Sequence, residues 1–467
     1  MGGRRFGFIR ARKKACFTQE SLAHALNLDP TTVGHWERGR TEPLPYKRPK
    51  LAKLLGVTPD ELEDLLAEGT DREVSKPAPA ARFTMPGSVT TDRALLPEPP
   101  VKVPAPQYEP SLKDALTTLA IVAGVDGHGF DDPEVVAFSS QLPAKAIRGW
   151  RAGVTIDDVE RSGEPARVRD IDEVITTTKS LDQLDRQFGG DYSRSLAVKY
   201  LTDRVLPLLR RPASDLVRRE LFQAAAVLCE VIGYMAYDAG LHRRAQHYFI
   251  QALRFTQEAG NQAYGSFVLG TMSHQALYLD RPDQALTLAQ AAEHSAPSQS
   301  LAVVSTEAAM LEATASAALG DASGSIQALC RAEASYERHT ATAETPYWMT
   351  HWDESVFASF ASSAWLDLGD SKAAEPYLQT LWHGTGQQVR RQVFAAGQLA
   401  RAALLEHDVE QSAHYGNMAA EAAAATGSKR SHRIVRDLLV RLDGHRQLRP
   451  VRELTDTVTE LLPSEAP

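Results

Sequence analysis

Beyond residue 111 the apolar residues of this chain fall three and four positions apart, the spacing of one face of an α-helix. Short glycine-bearing or polar turns interrupt the pattern at intervals. Ala245, Phe249 and Ala252 follow a turn at Gly240, and Ala285, Ala289 and Ala292 follow one near Asp280. Leu329 and Ala332 follow Gly320, Ala374 and Leu378 follow Gly369, and Ala413 and Ala420 follow His407-Asp408. These turns stand 40, 40, 49 and 38 residues apart. Small residues one and two helical turns apart let neighbouring helices approach closely. Their recurrence at this period predicts about five stacked helical hairpins and a closing helix through Leu462. Residues 111–210 carry helical spacing without the repeat, including two helices broken at Gly189-Gly190. The glycine-rich stretch "GVDGHGF" from Gly124 lacks the lysine and strand of a phosphate loop and reads as a plain loop.

A second helical pattern occupies the N-terminus. Thr18 is a good N-cap for a helix whose apolar face is Leu22, Ala23 and Leu26. "NLDP" breaks that helix, and Pro30 suits the first turn of another over Thr31–Arg38, with Val33 and Trp36 inward. Gly39 and "TEPLP" end it, and further helices are expected near Arg48–Leu55 and Asp60–Leu66. Between the two patterns, residues 71–110 hold nine prolines among small and polar residues. Such a segment builds no core and reads as a flexible tether, spanning ~35 Å root-mean-square at about 5–6 Å times the square root of its length. The expected architecture is therefore all-α: a head at 1–70, a linker at 71–110, an irregular helical region at 111–210 and a degenerate repeat domain at 211–463.

Charge sharpens the picture. Residues 1–55 hold twelve Lys/Arg against four Asp/Glu, a net of +8, whereas the remainder holds 39 against 55, a net of −16. A basic head on an acidic body is the footprint of one domain that meets a polyanion. Three dispersed cysteines make neither a disulfide framework nor a zinc site. No run approaches the ~18 apolar residues of a membrane span, and the basic start lacks a secretory core, so a cytoplasmic protein is expected.

The stretches "TQESLA" and "HWERGRTEP" resemble the Xre/lambda-repressor-like helix-turn-helix family, with the likeness covering residues 4–66. That resemblance implies binding to double-stranded DNA. Gln19 and the amides around it would hold phosphate, Thr31, Thr32 and His35 would face base edges, and Arg38 and Arg40 would grip the backbone. Arg12 and Glu37 match a buried structural ion pair. Gly34 departs from a stiff recognition helix, at roughly 1 kcal/mol relative to alanine.

The hairpin "LCEVIGYMAYDAGLHRRAQHYFIQALRFTQEAG" resembles a tetratricopeptide repeat, with Gly233, Gly240, Ala245, Phe249 and Ala252 at that family's small and aromatic positions. Joined to the Xre-type head, "LDQLDRQFGG", "GYMAYDAG", "YFIQALR" and "MSHQALYL" resemble a group of actinobacterial regulators of differentiation or secondary metabolism. In tetratricopeptide arrays the first helix of each pair lines the concave wall. On such helices Glu230, Tyr234 and Tyr237 share one face, and His274 and Tyr278 another, so these five form the candidate groove for a peptide, protein or small-molecule effector. "TPYWMTHWDE" adds two tryptophans and a tyrosine. The asparagines that hold a peptide backbone in peptide-sensing regulators are scarce here: Asn27, Asn261 and Asn417.

Catalytic parts are missing from the sequence: no H-E-x-x-H, no G-x-x-x-x-G-K-[ST] and no G-x-S-x-G. The expectation is a non-enzymatic, cofactor-free and metal-free transcriptional regulator. It would dimerise through its helical body on an inverted repeat at the nucleoid. A tetratricopeptide scaffold and a peptide-pheromone sensor are the alternatives.

Overall fold

The structure, a computed structural model, describes residues 5–15, 17–26, 28, 32–38, 43, 47–67, 103–127, 141–295, 301–341, 346–349, 352–386 and 388–462. It is all-α, and among the described residues the sole β-type pairing is a single bridge between Ser111 and Ile156. The chain forms two compact units, one built on Met1–Lys102 and the other on Val103–His339 and Ala343–Pro467.

The first unit holds α1 (Phe6–Lys14), α2 (Gln19–Ala25), α3 (Thr32–Glu37), α4 (Arg48–Leu55) and α5 (Pro59–Ala67). Thr18 starts α2 as a capping box: its hydroxyl accepts from the Ser21 amide at 3.0 Å, and the Ser21 hydroxyl accepts from the Thr18 amide at 2.8 Å. Thr58 and Glu61 repeat the device at α5. The core is Phe8, Leu22, Leu26, Val33, Trp36, Leu51, Leu55, Leu62 and Leu66, one apolar stripe from each helix.

The second unit opens with α6 (Leu112–Gly127), α7 (Leu142–Ala152), α8 (Val168–Phe188) and α9 (Gly190–Tyr200). A π-helical turn at Leu201–Val205 then leads into α10 (Leu206–Leu209). Five hairpins follow: α11 (Asp215–Asp238) with α12 (His242–Ala259), α13 (Gln262–Tyr278) with α14 (Pro282–Ser295), α15 (Ala302–Ala318) with α16 (Ala322–Ala341), α17 (Glu354–Asp367) with α18 (Ser371–His383), and α19 (Val389–Leu405) with α20 (Val409–Ala424). α21 (Lys429–Arg441) and α22 (Arg449–Leu461) close the array. The five turns fall at Gly240, Asp280, Gly320, Gly369 and His407, each with φ between +57° and +79°. Such a left-handed residue ends one helix and lets the next fold back on it.

Two stretches differ from the sequence-based expectation. "GVDG" at 124–127 is the last turn of α6, not a loop. Its Asp126 is buried and accepts from Arg244 at 2.8 Å, from the Tyr248 hydroxyl at 3.0 Å and from Arg194, so ion pairing makes a hub of what local composition made a turn. At the other end of the proposed tether, residues 103–110 are extended but held on the body. The buried Arg254 donates to the carbonyls of Glu109 (2.9 Å) and Pro110 (3.0 Å), and Tyr108 packs where a side chain on Gly149 would stand. Residues 71–102 lie outside the described residues.

Candidate functional site

In the first unit, Glu37 at the end of α3 is 3% exposed and joins three helices. Arg12 of α1 donates through Nε to its Oε1 at 2.6 Å, Gln19 of α2 donates to its Oε2, and Arg12 also reaches the Phe17 carbonyl at 2.6 Å. Gln19 is therefore turned toward Glu37 by its amide nitrogen. Gly34 is buried where α2 meets α3: a Cβ there would stand 3.2 Å from the Arg38 guanidinium and 3.3 Å from Gln19 Oε1. The glycine that weakens α3 thus lets the two motif helices close.

Helical phase sorts the expected base readers. Thr32 is 6% exposed, because it stands one turn before the core residue Trp36 and shares its inward face. Thr32 thus packs against the core of the head. His35, one turn after Thr32, is half-buried, and Arg38 is exposed one turn later. Thr31 and Arg40 lie outside the described residues.

In the second unit, the first helices of the hairpins (α11, α13, α15, α17, α19), together with α8 and α21, line a cavity of about 420 Å³. Glu230, Tyr234, Tyr237, His274 and Tyr278 all reach it. The four rings form one connected cluster: Tyr237 hydrogen-bonds His274 Nδ1 at 3.2 Å, and its ring meets Tyr234 at 5.7 Å and Tyr278 at 5.3 Å edge-on. Tyr237 is 0% exposed, so its ring belongs to the wall's interior as well as to the cavity. The Thr271 hydroxyl donates to Glu230 at 3.2 Å.

One side of this groove is covered by a helix from the far end of the array. α21 returns to the first hairpin, where Arg430 donates to the Tyr234 hydroxyl at 2.6 Å and lies 4.6 Å from the Tyr237 ring centre, while Arg433 covers Tyr278 at 4.6 Å. Ser428 donates to the buried Asp238 at 2.8 Å, and Arg390 of α19 reaches Asp185 of α8 at 3.2 Å. These bonds join the two ends of the array.

Burial sets the site's protonation. It pushes Glu230 up to about 8, with Asp182 adding to the shift, and Glu307 up to about 8, with Glu230 adding to it. Burial, aided by Arg430, lowers His274 to about 3. Near neutral pH Glu230, Glu307 and His274 are therefore uncharged in the cavity wall.

Residues 9–62 match the helix-turn-helix family HTH_3. The match runs from α1 into α5 and makes the first unit an Xre-type helix-turn-helix domain, of the class that binds DNA. No curated protein matches the chain. Among the described residues no helix is long and apolar enough to cross a membrane, and no group of three or more His, Cys, Asp or Glu side chains is placed to hold a metal ion.

Beyond the helix-turn-helix domain, sequence reasoning missed the far wall of the cavity: Glu307, Arg390, Phe394 and Arg430. The one available signal was the position of Glu307, Arg390 and Phe394 on first helices of later hairpins; Arg430 comes from α21, beyond the repeat. Trp348 and Trp352 of the "TPYWMTHWDE" stretch also line it, at 9% and 7% exposure.

Proposed function

We propose that the protein is a sequence-specific, DNA-binding transcriptional regulator whose tetratricopeptide-like body dimerises and senses an effector. The observation that carries this reading is the helix-turn-helix match at residues 9–62, joined in one chain to a helical body with an internal cavity. The net charge of +8 over residues 1–55 supports the assignment of DNA contact to the head, and the net of −16 over residues 56–467 keeps the rest off the duplex. His35 and Arg38 are the described residues assigned to the DNA: His35 to base edges and Arg38 to phosphate. Thr31 and Arg40 keep those roles by resemblance alone. Stacked hairpins turning at Gly240, Asp280, Gly320, Gly369 and His407 support the tetratricopeptide-like reading, and with it the likeness to actinobacterial regulators of differentiation or secondary metabolism. One head of this size buries only ~600–1,000 Å² on DNA, which favours a dimer on an inverted repeat. The protein acts by binding, not by catalysis.

Arg38→Ala tests the reading. Full-length protein and variant are titrated on the selected operator over a range of salt. Loss of one phosphate contact weakens binding at all sequences and lowers the log–log salt slope by roughly 0.9, while His35→Ala shifts the selected operator instead. Unchanged slope and unchanged operator in both variants would remove α3 from the groove. Sedimentation of the full-length chain at micromolar concentration checks the dimer.

A further inference from the structure

The cavity's charges are unequally partnered. Arg390 is engaged by Asp185 and Asp238, Arg391 by Asp353 at 2.6 Å, Arg186 by Asp182 at 2.9 Å, and Arg430 by the Tyr234 hydroxyl beside Asp238. Lys179 is exposed and lies over the Tyr347 ring. Glu230 and Glu307, by contrast, face no Lys or Arg at ion-pair distance among the described residues. Glu230 is 8% exposed with Thr271 as its hydrogen-bond donor, and Glu307 Oε2 is shielded from solvent and accepts no hydrogen bond. The buried Trp352 indole N–H makes no hydrogen bond of good geometry, but it lies close enough to Glu307 to offset part of the upward shift that burial gives this carboxyl. The same quarter of the cavity is aromatic: Phe267, one turn before Thr271, packs 5.4 Å from Trp348. An anion entering here would have to take arginines from their carboxylates. A cation finds two carboxyl groups without a counter-charge and ring faces beside them.

Resting on the reading of this cavity as the effector site, we propose that it binds a small organic ammonium. The protonated amine sits between Glu230 and Glu307, and its apolar body lies against Phe267, Trp348 and Trp352. At about 420 Å³ the space suits a single-ring or short aliphatic amine, not a folded peptide.

Binding is coupled to proton release. Both glutamates, pushed up to about 8 by burial, hold protons in the empty cavity and must lose them to pair with the ammonium. The other titratable or charged groups of the cavity are Lys179, Asp182, Asp185 and Arg186 from α8, Tyr234 and Tyr237 from α11, Tyr264, His274 and Tyr278 from α13, Tyr347, Arg390 and Arg391 from α19, and Arg430 from α21. Asp185 titrates near 6 and His274 near 3, which leaves the two glutamates to titrate between pH 7 and 9. Affinity for a protonated amine therefore rises up to about tenfold per pH unit for each proton released, up to pH 8.

The test is calorimetric titration of the full-length protein with tyramine and 2-phenylethylamine. 3-Phenylpropionate, which has the same skeleton with the opposite charge, is the control. Amine binding that strengthens from pH 6.5 to 8, with none by the carboxylate, is expected. Glu230→Gln and Glu307→Gln, near-isosteric changes checked by thermal unfolding, are each expected to weaken the amine at least tenfold and to flatten its pH dependence. Equal binding of the carboxylate, no binding of either amine at pH 8, or full affinity in both variants would overturn the proposal. Operator affinity is measured separately with and without tyramine. An amine that binds without changing operator affinity leaves the ligand class standing and removes the regulatory reading. A chain that responds to some other ligand but binds no amine does the reverse.

Discussion

At the scale of single residues, Glu37 ties α1 and α2 to the end of α3, because both donate to it. Removing one partner of a buried ion pair leaves the other charged and desolvated, at ~3–5 kcal/mol. Glu37→Ala is thus expected to speed amide exchange through α1 to α3 while the second unit stays protected, and hydrogen exchange of the full chain reads this directly. Tyr237 follows similar logic in the body. Tyr237 was expected to line an effector groove, but a ring at 0% exposure is also a core residue. Truncating it to alanine costs ~3–5 kcal/mol and a clear drop in thermal stability, whereas Tyr237→Phe removes the bond to His274 alone at about 1 kcal/mol. The phenylalanine variant is therefore the one that separates function from folding.

Among the helices and turns, Gly233 of α11 shows how close packing was legible. A Cβ there would stand 2.6 Å from the Phe249 ring of α12. Gly233→Ala gains up to ~1 kcal/mol of helix propensity and loses ~1–3 kcal/mol to overpacking, so urea denaturation should give a net loss. An unchanged or raised midpoint would mean that the α11–α12 pair can shift to admit a methyl. The turns were readable for a related reason: a left-handed residue between two amphipathic stretches selects glycine, aspartate or a short polar pair, and each such choice stands in the local sequence. Glu37 was matched to Arg12 through a motif of fixed spacing. Asp126 was not legible, since its partners Arg194, Arg244 and Tyr248 lie 68 to 122 residues away. The same holds for α21 closing over Tyr234 and Tyr278: the face was visible in the periodicity of α11 and α13, but what covers it depends on how far the array curves.

Over the whole second unit, burial of titratable groups gives stability a definite pH profile. His242, lowered to about 4, and His247 and His274, lowered to about 3, bind fewer protons folded than unfolded. Their contribution is present above the ordinary histidine value near 6.5 and is lost as pH falls toward 3. Glu230 and Glu307, raised to about 8, and Asp185, raised to about 6, bind more protons folded. Their contribution is present below about 4 and is lost as pH rises through those folded values. Between pH 4.5 and 6 the three histidines and three acids oppose one another, which predicts a plateau. Between 6.5 and 8 the glutamates act alone, and stability falls by at most ~1.4 kcal/mol per pH unit for each. Thermal unfolding of the full chain from pH 4 to 9 is expected to show this plateau followed by an alkaline decline. Glu230→Gln and Glu307→Gln flatten the decline, because an amide has no proton to lose. A midpoint that stays level from pH 6.5 to 8.5 in the wild type would mean that water or an internal cation already reaches both carboxylates, and that the cavity is wet rather than closed.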